Sequence, residues 1–351
     1  MRTTISKQFS TTSSCDLLIR CFIILLCCQY RQIRKHTGIG SASLSGQALT
    51  IIAFLPLALG CGSGGGSGGE TSKTAVIVST ALQYATVRSN EPGTTELSLA
   101  LDAYIPEATS GLAPGIIFIH GGGWISGVRE DNAGLALAFA EKGFVTFTPS
   151  YRIATSKTPA YPNQLYDLQT AVRWIRANAQ QFNLDPNRLG VAGISSGGQL
   201  SSLLVNLEGS DVSTDPKAIL PLASSDITGI SSRPNAAASI SAPSDLTTLF
   251  PQALQSVIAA VFPKGTLELA SPIFRINEHS TPILLLHGTN DEIVPFDQAT
   301  RFHDALVARG RNVTLAPIQN GGHGLNNSAE STQVALELEL FFRERLDLPN
   351  R

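Results

Sequence analysis

Hydrophobic positions along this chain fall into short, nearly unbroken runs that alternate with helix-spaced stripes. From Thr94 to Tyr104, Leu97, Leu99, Leu101 and Ala103 occupy every second position, the pattern of a half-buried strand. Ile116-Ile117-Phe118-Ile119 is continuous, as expected of a strand covered on both faces of a parallel sheet. Further strands are predicted at Phe144–Phe147, Leu189–Ala192, Ala236–Ser241, Ile283–Leu286 and Val313–Pro317. Helices are predicted over 134–142, 164–182 (Leu165, Leu168, Val172 and Ile175 at spacings of three, four and three), from Ser195 to about Asn206, 297–309 and 329–346. Strands alternating with helices argue for a single α/β domain with a mostly parallel, doubly wound sheet flanked by helices. Residues 208–235 are loop-rich and polar, and 246–270 read as a small lid-like insertion.

Glycine clusters follow four of the predicted strands. They are His120-Gly121-Gly122-Gly123-Trp124, Gly193-Ile194-Ser195-Ser196-Gly197, His287-Gly288-Thr289-Asn290-Asp291 and Gly322-His323-Gly324. In a doubly wound sheet the carboxyl ends of the strands form the site, so all four clusters converge there.

The second cluster is G-x-S-x-G between an apolar strand and a helix. A serine nucleophile needs a tight strand-to-helix turn, with no side chains two residues to either side. Ser195 meets this requirement and Ser196 does not, so Ser195 is the candidate nucleophile. A base must accept its proton. Of six histidines, His323 stands on a glycine-flanked loop after the last strand, where it can reach the centre of the sheet. His120 and His287 are expected to brace their loops. Asp291 is the candidate acid that orients the base, with Glu292 and Asp245 as rivals. The backbone N–H groups of Gly121, Gly122 and Ser196 are the expected oxyanion donors. Trp124 is assigned either to the wall of the acyl pocket or to the core.

Composition narrows the function further. The 351 residues carry a net charge of -2, which gives no electrostatic case for binding nucleic acid. The histidines lack ligand-spaced partners, so no metal is expected. All five cysteines lie in the first 61 residues, so the body holds no disulfide and no cysteine nucleophile. Residues 1–61 read as a leader: basic residues Arg31, Arg34 and Lys35 precede a short apolar run, Leu49 to Leu59. Residues 62–75 begin as a Gly/Ser tether, and 76–351 are the catalytic domain.

These clusters resemble the α/β-hydrolase superfamily, and more narrowly its H-G-G-G-W esterases and lipases. Tyr151-Arg152, Tyr161-Pro162, Asp167, Trp174 and Asp185-Pro186 are similar to the bacterial feruloyl/acetyl-xylan esterase-like branch. The chain departs from that branch at Ser196 and Gln199, where alanine and histidine are usual. The resemblance implies a cofactor-free serine carboxylesterase that hydrolyses short-chain or carbohydrate-linked esters through an acyl-enzyme. The alternatives are an arylformamidase-like amide hydrolase and a non-catalytic surface lipoprotein using the fold as a binding module. Leu57-Ala58-Leu59-Gly60-Cys61 resembles a bacterial lipobox. That resemblance implies export to the periplasm or cell envelope, with a lipid on Cys61 as the membrane attachment.

Overall fold

The computed structural model describes residues 2–3, 74–87, 96–107, 109, 111–155, 160–207, 229–325 and 327–349. Apart from residues 2–3, the leader with Cys61 lies outside the described residues, as do most of the tether and most of the 208–235 loop.

Eight strands carry the sheet: β1 Val76–Val87, β2 Leu97–Pro106, β3 Ala113–Ile119, β4 Val145–Pro149, β5 Leu184–Ile194, β6 Ala236–Ile240, β7 Ile283–Gly288 and β8 Val313–Ile318. Their spatial order is β1-β2-β4-β3-β5-β6-β7-β8, and the two-residue strand Arg2–Thr3 pairs on the outer side of β1. β1, β2 and β4 pair antiparallel, and every pairing from β4 through β8 is parallel.

Period-two alternation assigns the central strands to two cores. Ile117, Ile119, Val191, Ile283 and Leu285 face one apolar cluster; Ile116, Phe118, Ala192, Leu284 and Leu286 face the other. The first cluster is closed by α2 (Asn163–Ala177), α3 (Ser196–Val205) and α6 (Asp297–Ala308). The second is closed by α1 (Ala133–Glu141) and α7 (Ser328–Arg345). Each strand therefore needs apolar residues at both parities, which is why β3 and β7 read as unbroken hydrophobic runs.

β3 and β5 are neighbours whose following helices pack on opposite faces of the sheet. Their C-terminal loops therefore diverge and open a crevice between them. The His120–Trp124 and Ser195 turns lie at this crevice. The insertion contains α4 (Gln252–Val261) and the single turn α5 (Leu267–Ala270).

Two sequence expectations are corrected, and two features go beyond them. β2 is buried on both faces at its centre, because Tyr104 joins the α1 core and Asp102 accepts hydrogen bonds from Ala81 N–H (2.7 Å) and Arg129 Nε (3.1 Å). Helix α2 stops at Ala177: the Asn178 side chain donates to Trp174 O (2.8 Å), and a separate 3-10 turn spans Ala179–Phe182. Asp185-Pro186-Asn187 forms an irregularity within β5, where the register against β3 shifts between Ala113 and Gly115. Finally, β1 was not anticipated. It is kinked at Ala81 (φ 54) and slips register twice against β2, which blurs its alternation.

Candidate active site

β5 delivers Ser195 to the crevice. Its backbone is held at φ 55, ψ -121, a conformation rare for a residue with a side chain. The turn is tight enough that both flanking glycines are sterically required. A Cβ on Gly193 would collide with the Gly197 carbonyl, and one on Gly197 would come 2.5 Å from Ile119 O and 2.7 Å from His120 O. Ser195 N–H donates to Ile240 O at 2.8 Å, tying the turn to β6.

Two other loops bring the remaining groups. Asp291 follows β7 and His323 follows β8. The loops are laced together by Thr289 N–H to Ile318 O (3.0 Å), Asn290 N–H to Gly321 O (2.9 Å) and Asn320 N–H to Thr289 Oγ1 (2.8 Å). Gly288 packs so closely on Gly321 that a Cβ would strike its carbonyl. A capping box at Asn327 and Glu330 then starts α7 and fixes the far end of the histidine loop.

The result is a continuous hydrogen-bonded line. His323 Nε2 lies 3.0 Å from Ser195 Oγ, and His323 Nδ1 lies 2.8 Å from Asp291 Oδ2. Asp291 Oδ1 accepts the N–H groups of Ile293 (2.9 Å) and Val294 (2.8 Å). Burial alone would raise the Asp291 carboxyl pKa. The hydrogen bonds from His287, His323 and Val294 outweigh it and hold the group well below the usual carboxylate range. An ionised Asp291 fixes the proton of His323 on Nδ1, leaving Nε2 as the acceptor facing serine. Of the rivals, Asp245 is engaged by Arg301 at 2.5 Å, and Glu292 is exposed.

His120 is buried, and burial pushes its pKa down to about 4 against an opposing hydrogen bond to Gly121 O. It is therefore neutral, with its Nδ1–H donating to that carbonyl at 2.9 Å. Its ring stacks on Tyr151 (4.2 Å between centroids), whose hydroxyl donates to His120 O at 2.8 Å. Gly122 has φ +117, and its carbonyl accepts from Ile125 N–H, Ser126 N–H and Ser126 Oγ, which curls the loop. Among the described residues, the N–H groups of Gly121 and Gly122 find no acceptor. Ser196 N–H, at the first position of α3, has none within its helix. These are the three groups that sequence spacing named as oxyanion donors.

Trp124 is buried in the core, edge-on to Phe262 at 5.0 Å, with Nε1–H donating to Gln199 Oε1 at 3.0 Å. Sequence reasoning missed the roles of Gln199, Tyr151 and the His287 contact with Asp291. The partners of Gln199 and Tyr151 are distant in sequence, and His287, though only four residues before Asp291, reaches it across a loop whose fold no local periodicity encodes.

The chain is 31% identical over 254 residues to Esterase LipC of Mycobacterium tuberculosis (strain ATCC 25618 / H37Rv), a match covering 66% of this chain and 58% of LipC. Over 250 residues it is 26% identical to Probable carboxylic ester hydrolase LipM of the same strain, covering 67% and 55%. The chain thus spans a little over half the length of these relatives. Among solved structures, a truncated carbohydrate esterase from gut microbiota matches with TM-score 0.64 and 23% identity, covering 80% of this chain and 100% of that one. An acetyl ester-xyloside bifunctional hydrolase from Caldicellulosiruptor lactoaceticus matches with TM-score 0.62 and 23% identity, covering 76% and 96%. At that identity these structures establish the shared fold. The BD-FAE family model matches residues 101–306, which contain Ser195 and Asp291, and the chain belongs to the BD-FAE family, a carboxylesterase class of the α/β hydrolases.

Proposed function

We propose that this chain is a serine carboxylesterase acting on short-chain or carbohydrate-linked acetyl or feruloyl esters through an acyl-enzyme. The observation that carries this reading is the line Asp291–His323–Ser195, with hydrogen bonds of 2.8 and 3.0 Å. Family membership and relatives named as esterases support it.

Ser195 Oγ attacks the acyl carbon while His323 Nε2 takes the hydroxyl proton. Asp291 stabilises the resulting imidazolium. The tetrahedral oxyanion accepts N–H groups from Gly121, Gly122 and Ser196; loss of one such donor typically costs about 10²–10³ in rate. Collapse breaks the bond to the alcohol oxygen, which leaves with the proton from His323. Water then attacks the acyl-enzyme with His323 as base, and the carboxylic acid departs as Ser195 regains its proton. No step calls for a cofactor.

The test is a hydrolysis panel on the full chain beside Ser195→Ala. It comprises p-nitrophenyl acetate, butyrate and laurate, methyl ferulate, acetylated xylan and N-formylkynurenine. Serine-dependent turnover of short esters or acetylated sugar is the expected result. Turnover of the formamide alone would replace the reading with an amide hydrolase. No serine-dependent turnover at all would favour a binding module.

We further propose that the chain is exported and anchored by a lipid. The order of basic, apolar and lipobox-like residues ending at Cys61 supports export and lipid attachment. No helix among the described residues is long and apolar enough to cross a membrane. Metabolic labelling with a fatty-acid probe, lost in Cys61→Ser, is the expected outcome.

A further inference from the structure

The oxyanion hole invoked above is assembled from two separate segments: the first turn of α3 and the loop after β3. Their relative placement is a catalytic variable, because such donors must be held within about 0.5 Å of productive geometry. The near end of the loop is set by backbone packing of Gly197 against Ile119 and His120, and by Tyr151 on His120 O. The far end, Trp124, is hydrogen-bonded to α3 through the Gln199 side chain.

Gln199 lies one turn after Ser195, fully buried, with its backbone N–H on Ser195 O at 3.0 Å. Its amide oxygen accepts Trp124 Nε1–H at 3.0 Å, and its amide nitrogen donates to Ala270 O at 2.5 Å. Ala270 is the last residue of α5 in the insertion. One planar amide therefore joins the nucleophile helix, the oxyanion loop and the insertion. We propose that Gln199 is a positioning residue that sets the two halves of the oxyanion hole relative to each other and couples them to the seating of the insertion. This inference rests on the esterase reading.

The chemistry of the position is specific. It needs an acceptor toward Trp124 and a donor toward Ala270, both in a dry environment. Leucine supplies neither and leaves two buried polar groups unpaired. Glutamate accepts from Trp124 but turns a charge on the Ala270 carbonyl. A neutral imidazole offers one acceptor and one donor, so Gln199→His keeps both links.

The experiment compares the full-length wild type with Gln199→Leu, Gln199→Glu and Gln199→His at pH 8. It measures p-nitrophenyl acetate kinetics, affinity for an alkyl boronic acid that adds to Ser195 as a tetrahedral adduct, and thermal unfolding. Gln199→Leu and Gln199→Glu are expected to lower kcat by about 10- to 100-fold, below the full loss of a donor. KM should change by less than about twofold, and boronate affinity should fall in proportion to kcat. Gln199→His is expected to recover to within about threefold of wild type. Wild-type kcat in Gln199→Leu, equal defects in Gln199→Leu and Gln199→His, or an unchanged boronate affinity would each overturn the proposal.

A second arm does not depend on hydrolysis. The chain has two tryptophans, so Trp174→Phe leaves Trp124 as the reporter. Trp124 emission should shift in Gln199→Leu and return in Gln199→His. An unshifted emission would overturn the positioning role, whether or not the protein proves to hydrolyse esters.

Discussion

Asp291 serves two histidines through one oxygen. His323 Nδ1 lies 2.8 Å from Asp291 Oδ2, and His287 Nε2 lies 3.2 Å from the same atom. His287 Nε2 also lies 2.8 Å from Val294 O, a carbonyl that can only accept, so the proton is on Nε2 and is directed between the two oxygens. With Oδ1 taken by two backbone N–H groups, the carboxylate has no rotational freedom left. Replacing Asp291 by Asn should cost about 10³–10⁴ in kcat, since the imidazole then loses its tautomer control. His287→Gln leaves His323 its partner and removes only a restraint. A loss of about tenfold in kcat/KM is expected, equivalent to roughly 1.4 kcal/mol. Steady-state kinetics of the two variants decide it; a His287→Gln defect as deep as that of Asp291→Asn would mean that His287 does more than brace.

Ser195 is held in strain by its surroundings. At φ 55, ψ -121 its Cβ opposes the turn, whereas glycine adopts this region freely. Ser195→Gly should abolish turnover yet raise unfolding stability above that of Ser195→Ala by about 1–2 kcal/mol. Urea denaturation of the two variants measures the difference, and equal stabilities would show that the turn stores no strain.

The neighbouring glycine carries the opposite prediction. Gly197→Ala places a methyl group against the carbonyls of Ile119 and His120, which belong to the β3 end and cannot swing away. Either β3 or α3 must move. The expected loss is about 1–3 kcal/mol of stability, typical of overpacking, together with a fall in kcat as the oxyanion segments part. A variant with wild-type stability and rate would refute the steric account of this spacing.

What the sequence made legible, and what it hid, follows from these same contacts. Gly193 and Gly197 are readable because backbone sterics act at a fixed sequence distance from Ser195. The runs at Ile116–Ile119 and Ile283–Leu286 are readable because a strand between two cores needs apolar residues at both parities. Ser195, Asp291 and His323 could be named from glycine clusters at strand ends, and the structure places them within hydrogen-bonding distance. Gln199 was visible only as a departure from a family pattern: its partners, Trp124 and Ala270, are 75 and 71 residues away, and no local periodicity encodes such a bridge. β1 was hidden because polar positions and two register slips break its alternation, so its pairing with β2, not its own pattern, makes it a strand.

His120 makes the stability of the site depend on pH, with a definite sign. Its folded pKa is lowered to about 4 by burial, while in the unfolded chain it titrates near 6.5. Well above pH 6.5 both states are neutral and the group costs nothing. As pH falls below 6.5 the unfolded chain takes up the proton first, and the folded state loses ground steadily until about pH 4. At pH 4.5, two units below the unfolded pKa, the loss amounts to about 3 kcal/mol. His120→Gln cannot titrate, so its stability should fall less between pH 7.5 and 4.5 than that of wild type, by about that amount. The other titrating groups are common to both proteins and cancel in the comparison. Urea unfolding at the two pH values supplies the four free energies needed. If wild type and His120→Gln lose the same stability on acidification, the stacked, neutral imidazole beneath the oxyanion loop is not the acid-sensitive element.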